Sequence, residues 1–223
     1  MQKCIYCGGD LYKLKDGRVL CKSCKQKISV RRTQRILNII DQFCYAKTAI
    51  QCSVDLNLNY TTVLSYYKDL RSMIINYLEN TYEEYKNITF EYDEYVYCNK
   101  NKKNDKTAIF DAHDFLTFNH GDYIYNLLLP PLNRFRSTLT HNELDNAHYK
   151  EFVRFLNLHR ISKLQQNNSK IIQFWRFFDD FISSFHGVQS KNFIYYLKEA
   201  EFFFNIQDIK KRKEILQQLW FHP

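Results

Sequence analysis

Two cysteine pairs near the N-terminus constrain this chain more than any other feature. Cys4-Ile-Tyr-Cys7 and Cys21-Lys-Ser-Cys24 form CxxC…CxxC with 13 residues between the pairs. Each CxxC turn presents two thiolates, and the two turns together supply tetrahedral S4 coordination for a structural zinc ion. Gly8-Gly9 follows the first pair, where such a turn needs positive φ. Leu11-Tyr12, Lys15-Asp16-Gly17-Arg18 and Val19-Leu20 read as a hairpin around a glycine turn. Four thiolates on Zn²⁺ leave a formal charge of −2, which Lys3, Lys22 and Lys25 are placed to offset. Residues 1–27 hold so little apolar content that they are expected to be unfolded without metal. The alternative is a redox-active dithiol pair, but nothing in the sequence supplies the fold that reading needs.

Charge divides the chain. Of a net +8 over 223 residues, residues 1–75 carry 13 Lys+Arg against 5 Asp+Glu, and residues 76–223 carry 19 of each. All the excess positive charge is N-terminal, which points to a polyanion partner for that part, most often nucleic acid, with double-stranded DNA favoured by the motifs below; the alternative is a basic tail that serves solubility alone. No apolar run reaches the ~18 residues of a membrane span, so no membrane partner is expected. MQKCIYCGG has no apolar core of a signal peptide. The chain is expected in the cytoplasm, associated with the nucleoid, where thiols stay reduced and its seven cysteines serve as ligands or core residues.

After a basic connector over 28–33 with Arg31 and Arg32, the apolar spacing predicts three helices. The first carries Ile36, Leu37, Ile39, Ile40 and Phe43. The second spans Ala46–Val54, and the third runs from about Tyr60 to Asn80 with Val63, Leu64, Tyr67, Leu70, Met73, Ile74 and Tyr77 inward. Asp55-Leu56-Asn57-Leu58-Asn59 is a turn, because Asn57 tolerates the left-handed region and Asn59 is a good N-cap. Three helices with a tight turn before the last follow the helix-turn-helix plan. Base-reading residues would then be Tyr60, Thr61, Thr62, Ser65 and Tyr66, with Lys47, Lys68 and Arg71 beside Arg31 and Arg32 for phosphates. A plain helical bundle is the competing reading.

Beyond residue 76 the charge reverses. Ile88–Tyr97 is strand-prone, with Asp93-Glu94 in mid-strand, either a solvent-facing acid on an edge strand or one held for a metal or partner. Thr107–Phe115 and Tyr123–Leu129 read as two further strands around a turn at Asn119-His120-Gly121-Asp122. Asn142–Leu158 then reads as a helix and Arg160–Leu164 as a short strand. Ser169–Asn205 holds two helix-period runs joined at His186-Gly187. The first places Ile171, Phe174, Trp175, Phe178, Ile182 and Phe185 on one face; Gly187 stops it and Ser190 can cap the next. A last amphipathic helix covers Ile206–Trp220.

The chain resembles the small DDE transposases of bacterial insertion sequences, the ISXO-like group. The resemblance is carried by the four cysteines, LNLNYTT at 56–62, EYDEYVY at 91–97, Phe174-Trp175, and above all FHGVQSKNFIYYLKEAEFFFN at 185–205. It implies a mixed α+β or α/β chain: a zinc ribbon over 1–30, a helix-turn-helix over 31–82, and over 86–223 a reduced RNase H-like domain with a mixed sheet and helices. It also implies a protein that binds the terminal inverted repeats of its element as a homo-oligomer. Three carboxylates would hold two Mg²⁺ or Mn²⁺ ions for strand cleavage and transfer. The first carboxylate carries over to Asp93. For the second, Asp145 is the nearest candidate and Glu143 the next, in a stretch shorter than the family's. The third position is Ile172, where a glutamate is expected. Asp179, two turns along the same helical face at roughly 10 Å, is too far to replace it. This copy is therefore expected to be impaired in catalysis. The alternatives are a non-catalytic DNA-binding regulator derived from such a protein, and another nuclease of the same fold using Asp93, Glu94 and His113.

Overall fold

The computed structural model describes residues 3–88, 90–97, 112–130 and 169–222. It divides into two compact units: residues 1–74 with 206–223, and residues 75–205. The expected boundary at 30/31 falls inside the first unit, and residues 206–223, expected with the segment from 86 onward, group with the first unit.

The first unit begins with three short antiparallel strands, β1 (Leu11–Lys13), β2 (Val19–Cys21) and β3 (Lys27–Ile28), in that order across the sheet. The expected turn is present, with Gly17 at φ 77° and Arg18 clasping Asp16 through its backbone N–H and its guanidinium. β3 was not anticipated, since two residues carry no periodicity. Helix α1 (Val30–Cys44) starts earlier than the sequence suggested. Ser29 caps it by accepting from Arg32 N–H, which places Arg31 and Arg32 in its first turn rather than in a connector. Its inner face is Thr33, Ile36, Ile39, Ile40, Phe43 and Cys44.

Helix α2 (Ala49–Asp55) opens on a reciprocal capping box between Thr48 and Gln51. The turn that follows has Asn57 at φ 49°, as its residue type favours. The Asn59 carboxamide oxygen accepts from Thr61 N–H at 2.8 Å and so starts α3 (Tyr60–Tyr85). Phe43 meets Tyr67 edge-to-face at 4.9 Å, and the Tyr67 hydroxyl donates to Lys47 C=O at 3.0 Å. The last helix, α6 (Ile209–Phe221), is capped by Asp208 and packs on α1. Its Arg212 donates to Cys44 C=O at 3.1 Å, and Lys213 pairs with Asp41. Trp220 lies against Tyr66.

The second unit is built on an antiparallel meander, β4 (Glu91–Tyr97), β5 (His113–His120) and β6 (Tyr123–Leu128), with β5 central and Gly121-Asp122 as the tight turn. Strand β4 begins later than the sequence suggested, and β5 runs on to His120, into the expected turn; residues 107–111 of the expected second strand lie outside the described residues. Among the described residues the sheet is wholly antiparallel; the expected helix at 142–158 and strand at 160–164 fall outside them. Helices α4 (Lys170–Ser183) and α5 (Phe193–Asn205) cover one face. Buried there are Tyr95, Phe115, Phe174, Trp175, Phe178 and Phe193. Gly187, at φ 72°, lies beyond the end of α4 as expected. Ser190 does not cap a helix: it opens a 3-10 turn, Ser190–Asn192, ahead of α5. On the opposite face Tyr82 and Tyr85 of α3 stack on Tyr125 and Tyr123, while Phe90, Tyr92 and Leu127 are exposed.

The edge of β6 is closed by side chains of α5. Asn205 accepts from Ile124 N–H at 2.9 Å and donates to Ile124 C=O at 2.7 Å. Two residues on, Glu201 accepts from both Asn126 N–H and the Asn126 carboxamide at 2.9 Å. Alternate backbone groups along one strand edge are thus satisfied by a helix instead of another strand. No helix among the described residues is long and apolar enough to cross a membrane.

Candidate metal centre and nucleic-acid interface

The four cysteine sulfurs lie within 4.8 Å of one another, with Cys4 and Cys24 at 3.7 Å and Cys7 and Cys21 at 3.4 Å, and no disulfide joins them. A tetrahedron of sulfurs at ~2.3 Å from zinc has edges of ~3.8 Å, so these thiols could hold a structural metal such as zinc. Two matching turns build the site. Gly8 (φ 71°) donates to Cys4 C=O at 2.8 Å, and Lys25 (φ 60°) donates to Cys21 C=O at 3.2 Å. Each thus follows the second cysteine of its pair with a left-handed residue. Gly9 is required by proximity, since a Cβ there would stand 2.5 Å from Ser23 Oγ and 3.2 Å from Cys21 Sγ.

The local electrostatics separate two of the thiols. Burial opposes ionisation of Cys21, but the N–H groups of Cys24 and Ser23 and the thiols of Cys7 and Cys24 hold it down to about 6. The N–H of Gln26 favours the Cys24 thiolate, yet burial and the neighbouring thiols push Cys24 up to about 12. Crowded sulfurs that cannot all ionise together are what a bound cation relieves. Of the lysines expected to offset the site's charge, Lys3 pairs with Asp10 at 2.7 Å, while Lys22 and Lys25 are exposed.

The residues expected to meet DNA separate by exposure. Arg31, Arg32, Tyr60, Thr61, Ser65 and Lys68 are exposed; Thr62 and Tyr66 are half-buried. Lys47 pairs with Asp55 at 2.6 Å. Arg71 is only 5% exposed, with its guanidinium 5.7 Å from the centroid of the Tyr67 ring, so it is not presented to a phosphate. Its helical register explains this, because Tyr67, Leu70 and Ile74 flank it on the buried side of α3.

On the sheet, Asp93 is half-buried and lies in one row with Thr117 and Asn126 across the three strands. Its carboxylate accepts from Glu94 N–H at 2.8 Å. Ile172, in α4, is 5% exposed, with its N–H on Ser169 Oγ. Asp179, further along α4, is buried and accepts from the Tyr95 hydroxyl at 3.0 Å. His113 lies flat on Phe193 at 3.8 Å, which is core packing. Asp145 and Glu143 fall outside the described residues. Among the described residues, the four cysteines are the one group of three or more Cys, His, Asp and Glu side chains that could hold a metal.

The sequence did not disclose a buried polar chain in the second unit. Trp175 Nε1–H donates to Thr117 Oγ1 at 2.8 Å, and Thr117 donates to the Asn126 carboxamide oxygen at 2.7 Å. Asn126 donates to Glu201, which pairs with Lys198 at 3.2 Å. Lys198 in turn lies 3.4 Å from Glu79 and over the Tyr125 ring. Glu201 is fully buried, and that burial raises its carboxyl above the usual range against the pull of Lys198 and Asn126. The only sequence cue was the spacing of Lys198, Glu201 and Asn205 on one face of α5.

No family model matches this chain, and no curated protein or solved structure matches it.

Proposed function

We propose that this chain is a DNA-binding protein of transposase descent, which grips duplex DNA through a zinc-stabilised ribbon and a helix-turn-helix. The observation that carries this reading is one contiguous basic segment. Residues 1–75 hold the whole net charge of +8, the four-cysteine cluster, and three helices with a left-handed Asn57 turn before the last. Such a segment suits a polyanion whose phosphates are met by Arg31, Arg32 and Lys68 while the outward side of α3 enters the major groove. Lys47 joins them on exchanging Asp55 for phosphate. Zinc would fix the ribbon and take no part in chemistry. The terminal inverted repeats of an insertion sequence are the proposed target, bound by a homo-oligomer.

The sheet would supply the RNase H-like body, with Asp93 as the carboxylate retained from a two-metal site for Mg²⁺ or Mn²⁺. A specific observation favours a second reading, a non-catalytic regulator: Ile172 is apolar and buried where a third carboxylate is expected. A single assay separates the two. Zinc-loaded full-length protein is incubated with labelled element-end DNA and Mg²⁺ or Mn²⁺. Binding without strand cleavage is the expected result. Robust cleavage overturns the impairment, and absence of salt-sensitive binding overturns the DNA reading itself.

A further inference from the structure

The outward side of α3 carries an unusual set of groups for a base-reading helix. Val63, Tyr67 and Leu70 are buried, so Tyr60, Thr61, Leu64, Ser65 and Lys68 face solvent over the first three turns, with Asp69 exposed at the margin of this stripe. Tyr60 is 45% exposed and Leu64 39%. The Thr61 hydroxyl donates to the Asn59 carboxamide oxygen at 2.6 Å and is engaged in the helix cap. The first guanidinium along α3 is Arg71, which is buried, and the first carboxamide within the helix is Asn76. Bidentate contacts to guanine come from arginine or lysine, and those to adenine from asparagine or glutamine; thymine is distinguished by apolar contact with its 5-methyl group. The exposed stripe holds two large side chains, Tyr60 and Leu64, two small hydroxyl residues, and Lys68, which is assigned to the DNA backbone, with Asp69 at its margin and neither a guanidinium nor a carboxamide.

We propose that this stripe reads thymine methyl groups in the major groove, so that the duplex it prefers is A·T-rich and is selected through apolar contact by Tyr60 and Leu64. This rests on the DNA-binding reading above. Duplex DNA is the occupant because the stripe belongs to the segment carrying the entire net charge of +8, with exposed Arg31 and Arg32 available for the backbone.

The test uses the zinc-loaded full-length protein. Duplexes are selected from a random pool, and the best is remade with deoxyuridine in place of thymidine at one position at a time. Uracil keeps every hydrogen-bonding group and loses only the methyl. An A·T-rich selected sequence is expected, with affinity falling about fourfold for each contacted methyl, the worth of one buried methylene-sized group. Tyr60→Ala and Leu64→Ala, both at exposed positions, should bring the thymine-over-uracil ratio toward one, with folding checked by circular dichroism. A G·C-rich selected sequence, or tight binding indifferent to uracil at every position, overturns the proposal while leaving DNA binding intact. Failure to bind any duplex overturns both.

Discussion

Around the cysteines the buried set is small: Cys4, Val19, Cys21 and Ile28, with Ile5 and Leu11 packed against them. The sheet of the second unit buries Tyr95, Phe115, Phe174, Trp175, Phe178 and Phe193 under two helices. The first arrangement has little apolar surface with which to hold four thiols together, and metal–sulfur bonds would supply what packing does not. The second needs no metal for its core, but it encloses a polar chain from Trp175 to Lys198, which must be fully paired to be tolerated. The charge follows the same division, with a strongly basic N-terminal part and a balanced remainder. The candidate metal site and the excess positive charge therefore fall together in the N-terminal part, and the larger aromatic core lies in the second unit.

The sharpest way to break this contrast is to remove the metal. Stripping the protein with a strong chelator, or replacing Cys21 with Ser, removes metal-linked folding free energy of about 10 kcal/mol or more. Amide hydrogen exchange should then lose its protection over β1–β3 and keep it over β4–β6. Simultaneous loss in both sheets would mean that the two are not held separately.

The opposite lesion is Glu201→Ala. It leaves the Asn126 N–H without its acceptor and Lys198 without its closest buried partner, at a cost of ~3–5 kcal/mol. Each unit carries one tryptophan, Trp220 in the first and Trp175 in the second. A Trp220→Phe background therefore lets urea unfolding be followed at Trp175 alone. A lower midpoint at Trp175 with unchanged zinc stoichiometry is expected; loss of zinc would contradict the contrast.

Asp114 gives a smaller effect that depends on pH. Burial first, and then its hydrogen bond with Glu94, pushes its carboxyl from 3.8 to about 7. The folded chain retains a proton that the unfolded chain releases near pH 4. The associated stability is present below that pH and is lost as pH rises through about 7. Asp114 is partly exposed, so the effect should be only ~1 kcal/mol. Asp114→Asn should flatten the dependence of the Trp175 midpoint between pH 4.5 and 7.5, and an unchanged slope would sink this assignment.

Thr48→Ala, which removes the capping box of α2, should cost ~1 kcal/mol. The loss should register at Trp220 in the first unit and leave the Trp175 midpoint in place.

Short-range chemistry made much of this legible from sequence. The CxxC spacing, the Gly17 turn, the left-handed Asn57 and the Asn59 cap each depend on neighbouring residues, and each stands where expected. Features that depend on a partner distant in sequence were hidden. Arg71 reads as a surface cation until the register of α3 places it beside Tyr67. Lys198 and Glu201 read as an ordinary i, i+3 surface pair until Asn126 and Glu79 enclose them. The amphipathic pattern of α6 predicted a helix but could not say that its apolar side belongs on α1. Of the carboxylates considered for metal, Asp93 has a defined place in the sheet, and Ile172 is the buried apolar side chain its residue type dictates.

The most direct test of the account is duplex affinity measured against salt for the full-length protein, once zinc-loaded and once metal-stripped. With Arg31, Arg32 and Lys68 on the backbone, log affinity should fall with log salt at a slope of about −3, near −0.9 for each phosphate neutralised. The metal-stripped protein should bind far more weakly. Equal affinity with and without metal, or binding indifferent to salt, would contradict the central claim that a metal-held basic unit grips DNA.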